Sequence, residues 1–317
     1  MKRKLMAAVA AGVLAIGGFT AAHAQFGGLG NVVRSVAAPA LPNILAGDPP
    51  ISTSIKDAVY GDPNRDGFVP PAEQSLASLE RGNKGGFKLR EGYYTMLAQS
   101  YCLHAGTHGP SQGDGYLYAP VKGSAKDAVI AILQNSNAHP EIEQRDIQLL
   151  LWAIVARAKF EDLDTRLKGV AAQLLTTKQL ASLNRSALSV LSSPELSRIT
   201  GGLPGPLRTI VQAEGQMRSM FSGGPVNYGQ METLAVLAGA APMGEGSVDV
   251  PSSRWSHHPD GYWVRYRPNG YTNTNVEIYV EPGSNAVGKT YDPATAIAAP
   301  GNTARQRLAQ SARIYGD

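Results

Sequence analysis

Residues 140–160 read PEIEQRDIQLLLWAIVARAKF and predict the clearest helix of the chain. Pro140 suits the first position of a helix, and Glu141 and Glu143 fall in the first turn, where the helix dipole favours acidic side chains. An apolar stripe runs along one side of this helix, formed by Ile147, Leu150, Leu151, Ile154 and Val155. The pattern is typical of a helix that packs in a core.

Outward from this helix, the sequence predicts more helices and then strands. Helices are predicted at residues 124–135, 163–175, 178–191, 194–199, 206–221, 228–237 and 303–314. Residues 262–266 and 275–280 are aromatic or alternating and flank a Pro-Asn-Gly turn, which predicts a β-hairpin. The predicted fold class is therefore α+β, with a mainly helical body and a C-terminal β-hairpin region.

The N-terminus has the three parts of a secretory signal. Lys2, Arg3 and Lys4 precede an apolar run over residues 5–22, which ends in the small-residue site Ala-His-Ala at 22–24. The predicted organisation is a signal peptide at 1–24, a flexible leader at 25–50, a mainly helical domain with a Cys/Gln module at 51–247, and a hairpin with a tail at 248–317. The predicted location is exported: periplasmic, cell-surface or extracellular.

Removal of the signal changes the charge balance of the chain. The whole sequence has 29 Lys and Arg against 25 Asp and Glu, and the signal carries three of the basic residues and no acidic one. The mature chain therefore has 26 basic and 25 acidic residues, which gives no reason to expect nucleic acid as a partner. No later segment is long and apolar enough to predict a membrane span after signal removal.

Cys102 is the single cysteine of the chain. Exported proteins meet oxidising conditions, in which an unpaired thiol is oxidised or crosslinked. A lone cysteine in such a protein is expected to be buried, modified or reactive.

Gln148 and Trp152 lie four residues apart and therefore share one face of the predicted helix. That face is otherwise aliphatic, and a buried amide without a partner costs about 1–3 kcal/mol. A cysteine thiolate can attack the carboxamide carbon of a glutamine and expel ammonia, which leaves an internal thioester. The sequence thus suggests Cys102 and Gln148 as a thioester pair, with the Trp152 indole shielding the bond from water.

This arrangement resembles the thioester domains of Gram-positive surface proteins, over about residues 93–160. The matching features are a Tyr-Cys-aliphatic segment at 101–103, an Ile-x-Ile-Leu-x-Asn helix at 130–135, Pro140, and a Gln four residues before a Trp. The chain departs from the family at Ile147, where the family has Thr, and shows no wall-sorting signal. The resemblance implies covalent binding to surface amine or hydroxyl groups on protein or polysaccharide, for adhesion or anchoring. Such a protein is a single-turnover acyl donor rather than an enzyme.

Two other functions remain open for Cys102. A secreted hydrolase or acyltransferase would need a histidine base near the thiol. The candidates are His104, His108, His139, His257 and His258. A non-catalytic envelope or matrix protein would use Cys102 only as a small buried hydrophobic residue.

Residues 62–73 fit the spacing of an EF-hand calcium loop. The predicted ligands are Asp62, Asn64, Asp66, the Phe68 carbonyl and Glu73, with Gly67 at the turn. Calcium is the one cofactor that the sequence suggests, and an isolated Asp/Asn/Gly turn is the alternative interpretation.

The signal peptide generates the first testable prediction. We expect the exported protein to begin at Gln25, because the small residues Ala22 and Ala24 fit the cleavage site. The intact mass of the exported protein measures this directly. A mass that retains residues 1–24 would show that the apolar run stays attached as an anchor.

Overall fold

The computed structural model describes residues 48–316, and a closed β-barrel holds the two ends of this part together. The strands are β1 Gly61–Asp62, β2 Glu73–Ser75, β3 Phe87–Lys88, β4 Gly92–Cys102, β5 Thr107–His108, β6 Tyr116–Pro120, β7 Val236–Leu237, β8 Trp255–His257, β9 Trp263–Pro268, β10 Asn273–Val280, β11 Thr290–Tyr291, β12 Ala296–Pro300 and β13 Leu308–Ile314. The helices are α1 Lys126–Asn135, α2 Gln144–Val155, α3 Thr165–Leu174, α4 Thr177–Ser186, α5 Ser193–Thr200, α6 Gly205–Ser222 and α7 Tyr228–Ala235. The signal peptide and residues 25–47 of the leader lie outside the described residues.

Six antiparallel strands form the barrel, in the order β9, β10, β4, β13, β12 and β6. The pairing of Tyr116 in β6 with Tyr266 in β9 closes the ring. Strands on both sides of residue 248 therefore belong to one sheet. Because a closed sheet has no free edge strand, the barrel pairs its backbone groups internally.

The predicted fold class was wrong in describing a mainly helical body with a C-terminal hairpin region, because the hairpin is only one third of the barrel. The hairpin itself is confirmed as β9 and β10. The C-terminal helix predicted at 303–314 is instead β13, whose first five residues are all buried. A strand buried on both faces shows no alternation of apolar and polar residues, so its sequence lacks the signal that identifies a strand.

The helices α1–α7 form one continuous segment between β6 and β7, close to the seven regions predicted between residues 124 and 237. Helix α2 lies at the centre of this segment, and every residue from Asp146 to Val155 is buried. It packs against α3, α6 and α7 on the helical side and against β4 of the barrel. Within residues 48–316, no helix has the length and apolar composition needed to cross a membrane.

A buried ion pair links β9 and β10. Glu277 accepts hydrogen bonds from the Nε and Nη2 atoms of Arg265 and, over 2.9 Å, from the Tyr93 hydroxyl. The side chains of Arg265 and Glu277 are each only 3% exposed. A charge in such a place is tolerated because its partner lies beside it.

We expect Glu277→Ala to lower the free energy of unfolding by about 3–5 kcal/mol, because it leaves the Arg265 guanidinium buried and unpaired. Urea denaturation measures the change. Glu80→Ala is the control, since Glu80 pairs with Lys88 at an exposed site and such pairs contribute little. Equal losses in the two variants would contradict the role of the buried pair.

Candidate functional site

The candidate site lies where α2 crosses the end of β4. Strand β10 pairs with β4 as far as Gln99, and one more bond follows, from the Ser100 amide to the Thr272 carbonyl at 2.9 Å. Beyond Ser100 the chain before β10 turns away, while β4 continues to Cys102. On the side of β4 that faces β10, the last residues of β4 therefore have backbone groups that no strand can pair.

The side chain of Gln148 takes the place of the missing strand. Its Oε1 atom accepts a hydrogen bond from the Cys102 amide at 2.8 Å, and its Nε2 atom donates to the Cys102 carbonyl at 3.0 Å. On the other side of β4, the Leu103 amide donates to the Arg307 carbonyl of the chain entering β13. Because successive residues of a strand direct their backbone groups to opposite sides, those of Cys102 are directed away from β13 and towards α2.

Gln144 lies one helical turn before Gln148 and makes a similar interaction with the backbone of β4 two residues before Cys102. Its Nε2 atom donates to the Ser100 carbonyl at 3.1 Å and to the Thr272 carbonyl at 2.6 Å. Side chains four residues apart lie on the same helix face, so both glutamines reach the same strand. Two carboxamides thus fasten α2 to β4, and only that of Gln148 lies against the cysteine.

The geometry brings the Gln148 carboxamide against the backbone of Cys102. A C=O bond is about 1.23 Å long, so the Gln148 carboxamide carbon is at most about 4 Å from the Cys102 nitrogen. Cys102 is 0% exposed and Gln148 is 2% exposed. Burial raises the pKa of the Cys102 thiol well above its ordinary value, and the nearby Glu232 carboxylate raises it further. The thiol is therefore protonated at rest at neutral pH.

Trp152 lies one turn after Gln148 on α2 and is completely buried. Its indole contacts the ring of Tyr228 in α7, with centroids 5.5 Å apart and planes inclined by 36°. The Trp152 Nε1 atom and the Tyr116 hydroxyl are buried without a hydrogen-bond partner within residues 48–316. The surroundings of the pair are therefore buried and aromatic.

The tyrosine over Trp152 belongs to a hydrogen-bonded chain that reaches the surface. The Tyr228 hydroxyl lies 3.2 Å from the Tyr271 hydroxyl, and the Tyr271 hydroxyl donates to Glu232 Oε1. All three side chains are half-buried. Burial raises the pKa of Tyr228 to about 12, and both Glu232 and Cys102 contribute to the increase.

The structure gives no histidine a hydrogen bond to the Cys102 thiol within the described range. His104 is buried, and burial together with the Arg307 charge lowers its pKa to about 3, so it is neutral at physiological pH. His139 pairs with Glu141 at the surface. His257, the last residue of β8, packs on Trp263, and His258 packs on Tyr262. His108 lies in β5. Nothing in this geometry favours a Cys/His hydrolase.

The acidic side chains of the predicted calcium set do not form one cluster. No group of three or more His, Cys, Asp or Glu residues in 48–316 could hold a metal ion, so Asp62, Asp66 and Glu73 do not form one.

Protein partners occupy the predicted ligand atoms instead. Asp62 accepts from the amide and the side chain of Asn64, and Asp66 forms a two-bond ion pair with Arg254. The Phe68 carbonyl accepts from the Trp255 indole at 3.0 Å. Glu73 lies in β2 and accepts from Thr95. The alternative, an Asp/Asn turn in which Asp62 bonds to its own backbone two residues on, is what the structure shows.

Sequence reasoning missed Gln144, Tyr228, Tyr271 and Glu232. Gln144 could have been found, because it is four residues before Gln148 and repeats the same amide on the same face. The others come from a short helix and from the turn before β10, which only the folded chain brings to Cys102.

No family model matches the chain, and comparisons with curated proteins and with solved structures find no match.

The low pKa of His104 generates a prediction on stability. The unfolded chain binds a proton at His104 below about pH 6.5, whereas the folded chain does so only near pH 3. Between these values the unfolded state holds more protons, so acid lowers the free energy of unfolding by up to about 1.4 kcal/mol per pH unit. We expect His104→Gln to flatten the stability curve in this range.

Urea denaturation at several pH values measures the effect, and the difference between wild type and variant removes the contributions of other titrating groups. His139→Gln is the matched control at the surface. Parallel curves for wild type and His104→Gln would show that His104 titrates normally in the folded protein.

Proposed function

We propose that the protein carries a latent internal thioester between Cys102 and Gln148 and uses it once, to attach itself covalently to a nucleophile on a partner. The observation that carries this proposal is the pair of hydrogen bonds between the Gln148 carboxamide and the backbone of Cys102 at a completely buried site. The resemblance of residues 93–160 to thioester domains supports the same chemistry and implies a role in adhesion or anchoring.

The chemistry balances in two steps. In the first, the Cys102 sulfur bonds to the Gln148 carboxamide carbon, the carbon–nitrogen bond breaks, and the nitrogen leaves as ammonia with the thiol proton. In the second, an amine or hydroxyl on the partner bonds to the same carbon and the carbon–sulfur bond breaks. The thiol of Cys102 returns and Gln148 becomes an amide or ester link to the partner.

The surroundings suit a bond that must wait for its partner. Hydrolysis needs water at the carbonyl carbon, and the packed aromatic side chains of Trp152 and Tyr228 leave little room for it. Proximity also favours formation of the bond, because the hydrogen bonds hold the Gln148 carboxamide against the residue that carries the thiol.

A second, structural role has its own support. Gln144 makes the same kind of hydrogen bonds to β4 with no thiol beside it. A glutamine carboxamide at the end of β4 can therefore stabilise the fold without taking part in a reaction. In that case the protein is a non-catalytic envelope or matrix protein, and Cys102 is an inert core residue. Gln144 therefore provides the matched control for Gln148.

We expect the intact mass of the wild-type protein to be lower than its sequence value by one ammonia, and methylamine to convert this form to an adduct on Gln148. Gln148→Ala and Cys102→Ser should both have unmodified masses and form no adduct. Gln144→Ala should still lose ammonia, although it weakens the same helix–strand contact. Mass spectrometry of the four proteins, with peptide mapping of the adduct, measures all of these outcomes.

A wild-type protein of unmodified mass, with a Cys102 that is alkylated after unfolding, would contradict the thioester. The structural role would then stand. It predicts that Gln148→Ala and Gln144→Ala lower the free energy of unfolding by similar amounts, about 1–3 kcal/mol for each buried backbone group left unpaired.

A further inference from the structure

Glu232 is the acidic side chain whose charge acts on the Cys102 thiol. It accepts a hydrogen bond from the Tyr271 hydroxyl, which in turn contacts the Tyr228 hydroxyl above Trp152. Glu232 lies four residues after Tyr228, so both side chains are on the same face of α7. This face is directed towards α2, against which α7 packs.

The three side chains form the part of the site that meets solvent. Cys102, Gln148 and Trp152 are completely or almost completely buried, whereas Tyr228, Tyr271 and Glu232 are half-buried. A molecule that reaches the Gln148 carbon from outside on this side must pass or displace the two tyrosines. The side chains of the two tyrosines are held at this position by side-chain hydrogen bonds and ring packing. These contacts can open without breaking a strand or a helix.

Glu232 has no ion pair with any cation among the residues that the structure describes. Its charge reaches the interior, since it raises the pKa of both the Cys102 thiol and the Tyr228 hydroxyl. Arg145 also acts on Tyr228, but it is paired with Glu143 at an exposed site. The unpaired charge at this entrance is therefore the negative charge of Glu232.

We propose that Tyr228, Tyr271 and Glu232 form the entrance to the thioester and that Glu232 takes the proton of the incoming nucleophile, which selects a primary amine such as a lysine side chain. This inference rests on the proposed function. A lysine ammonium is attracted by the carboxylate but cannot attack while it is protonated. A hydroxyl group is uncharged and gains nothing from the negative entrance.

The proton moves in a closed cycle. The ammonium gives one proton to the Glu232 carboxylate, directly or through the Tyr271 and Tyr228 hydroxyls, and becomes a neutral amine. The amine nitrogen bonds to the Gln148 carbon, the carbon–sulfur bond breaks, and the nitrogen loses its second proton to the Cys102 sulfur. The products are an amide link, a Cys102 thiol and a protonated Glu232, which returns its proton to water.

The experiment compares two small nucleophiles on the full mature chain. Methylamine is almost entirely protonated at neutral pH, whereas hydroxylamine is mostly uncharged. The rate of adduct formation is followed by intact mass, and only molecules that have already lost ammonia are counted. We expect Glu232→Gln to slow the reaction with methylamine by about tenfold or more, in keeping with the loss of a positioned proton acceptor. The reaction with hydroxylamine should change by less than about twofold, because it has no proton to give up before attack.

Three further variants make the test specific. Glu232→Asp should restore part of the methylamine rate, since it keeps the carboxylate. Tyr271→Phe should slow methylamine less than Glu232→Gln does, because it removes only the hydroxyl that holds Glu232. Glu245→Gln removes an equal charge from an exposed loop and should leave both rates unchanged.

Equal slowing of methylamine and hydroxylamine in Glu232→Gln would overturn the proton-acceptor role, since it would indicate a general structural effect. If Glu232→Gln contains no thioester, the same two rates are measured on Tyr271→Phe. A methylamine rate that is unchanged relative to the hydroxylamine rate in that variant would overturn the inference. A wild-type protein that never loses ammonia would overturn the thioester itself, and its mass distinguishes that failure from the other two.

Discussion

The last residues of β4 have backbone groups that no strand can pair, and the rest of the structure is arranged around this constraint. A closed barrel satisfies its backbone through neighbouring strands, but the chain before β10 turns away after Thr272 while β4 continues to Cys102. Buried amides and carbonyls need partners. Helix α2 supplies them through Gln144 and Gln148, and it must therefore lie directly against the barrel.

This requirement explains why the helical segment has α2 at its centre. A helix fixed to the barrel by its own polar side chains needs cover on its remaining faces, and α3, α6 and α7 provide it. The result is a helix buried from Asp146 to Val155. The same packing that satisfies the edge of β4 places α7 against α2, with the Tyr228 ring on Trp152. Architecture and the candidate site thus have one origin.

The sequence predicted the parts that depend on local pattern and missed those that depend on distant pairing. Helices α1–α7 and the β9–β10 hairpin follow from periodicity and from the turn at 268–270. The barrel did not follow, because β13 is buried on both faces and pairs with β4 some two hundred residues earlier. Cys102 and Gln148 were paired from chemistry and resemblance, but their backbone hydrogen bonds and the entrance residues appear only in the folded chain. Likewise, the spacing of Asp62 and Asp66 does not predict the ion pair of Asp66 with Arg254, which lies far along the sequence.

Gln144 and Gln148 lie one helical turn apart and make similar hydrogen bonds, but only Gln148 lies beside a thiol. Both carboxamides bond to the backbone of β4, and by that measure they are equivalent. They differ in what surrounds them: only Gln148 has a thiol at its own bonding partner, an indole one turn away, and a chain of hydroxyls leading to a carboxylate. Burial alone makes a thiol unreactive, as the raised pKa of Cys102 shows. The proposed reaction therefore depends on a proton acceptor at the boundary of the site, and we assign that role to Glu232.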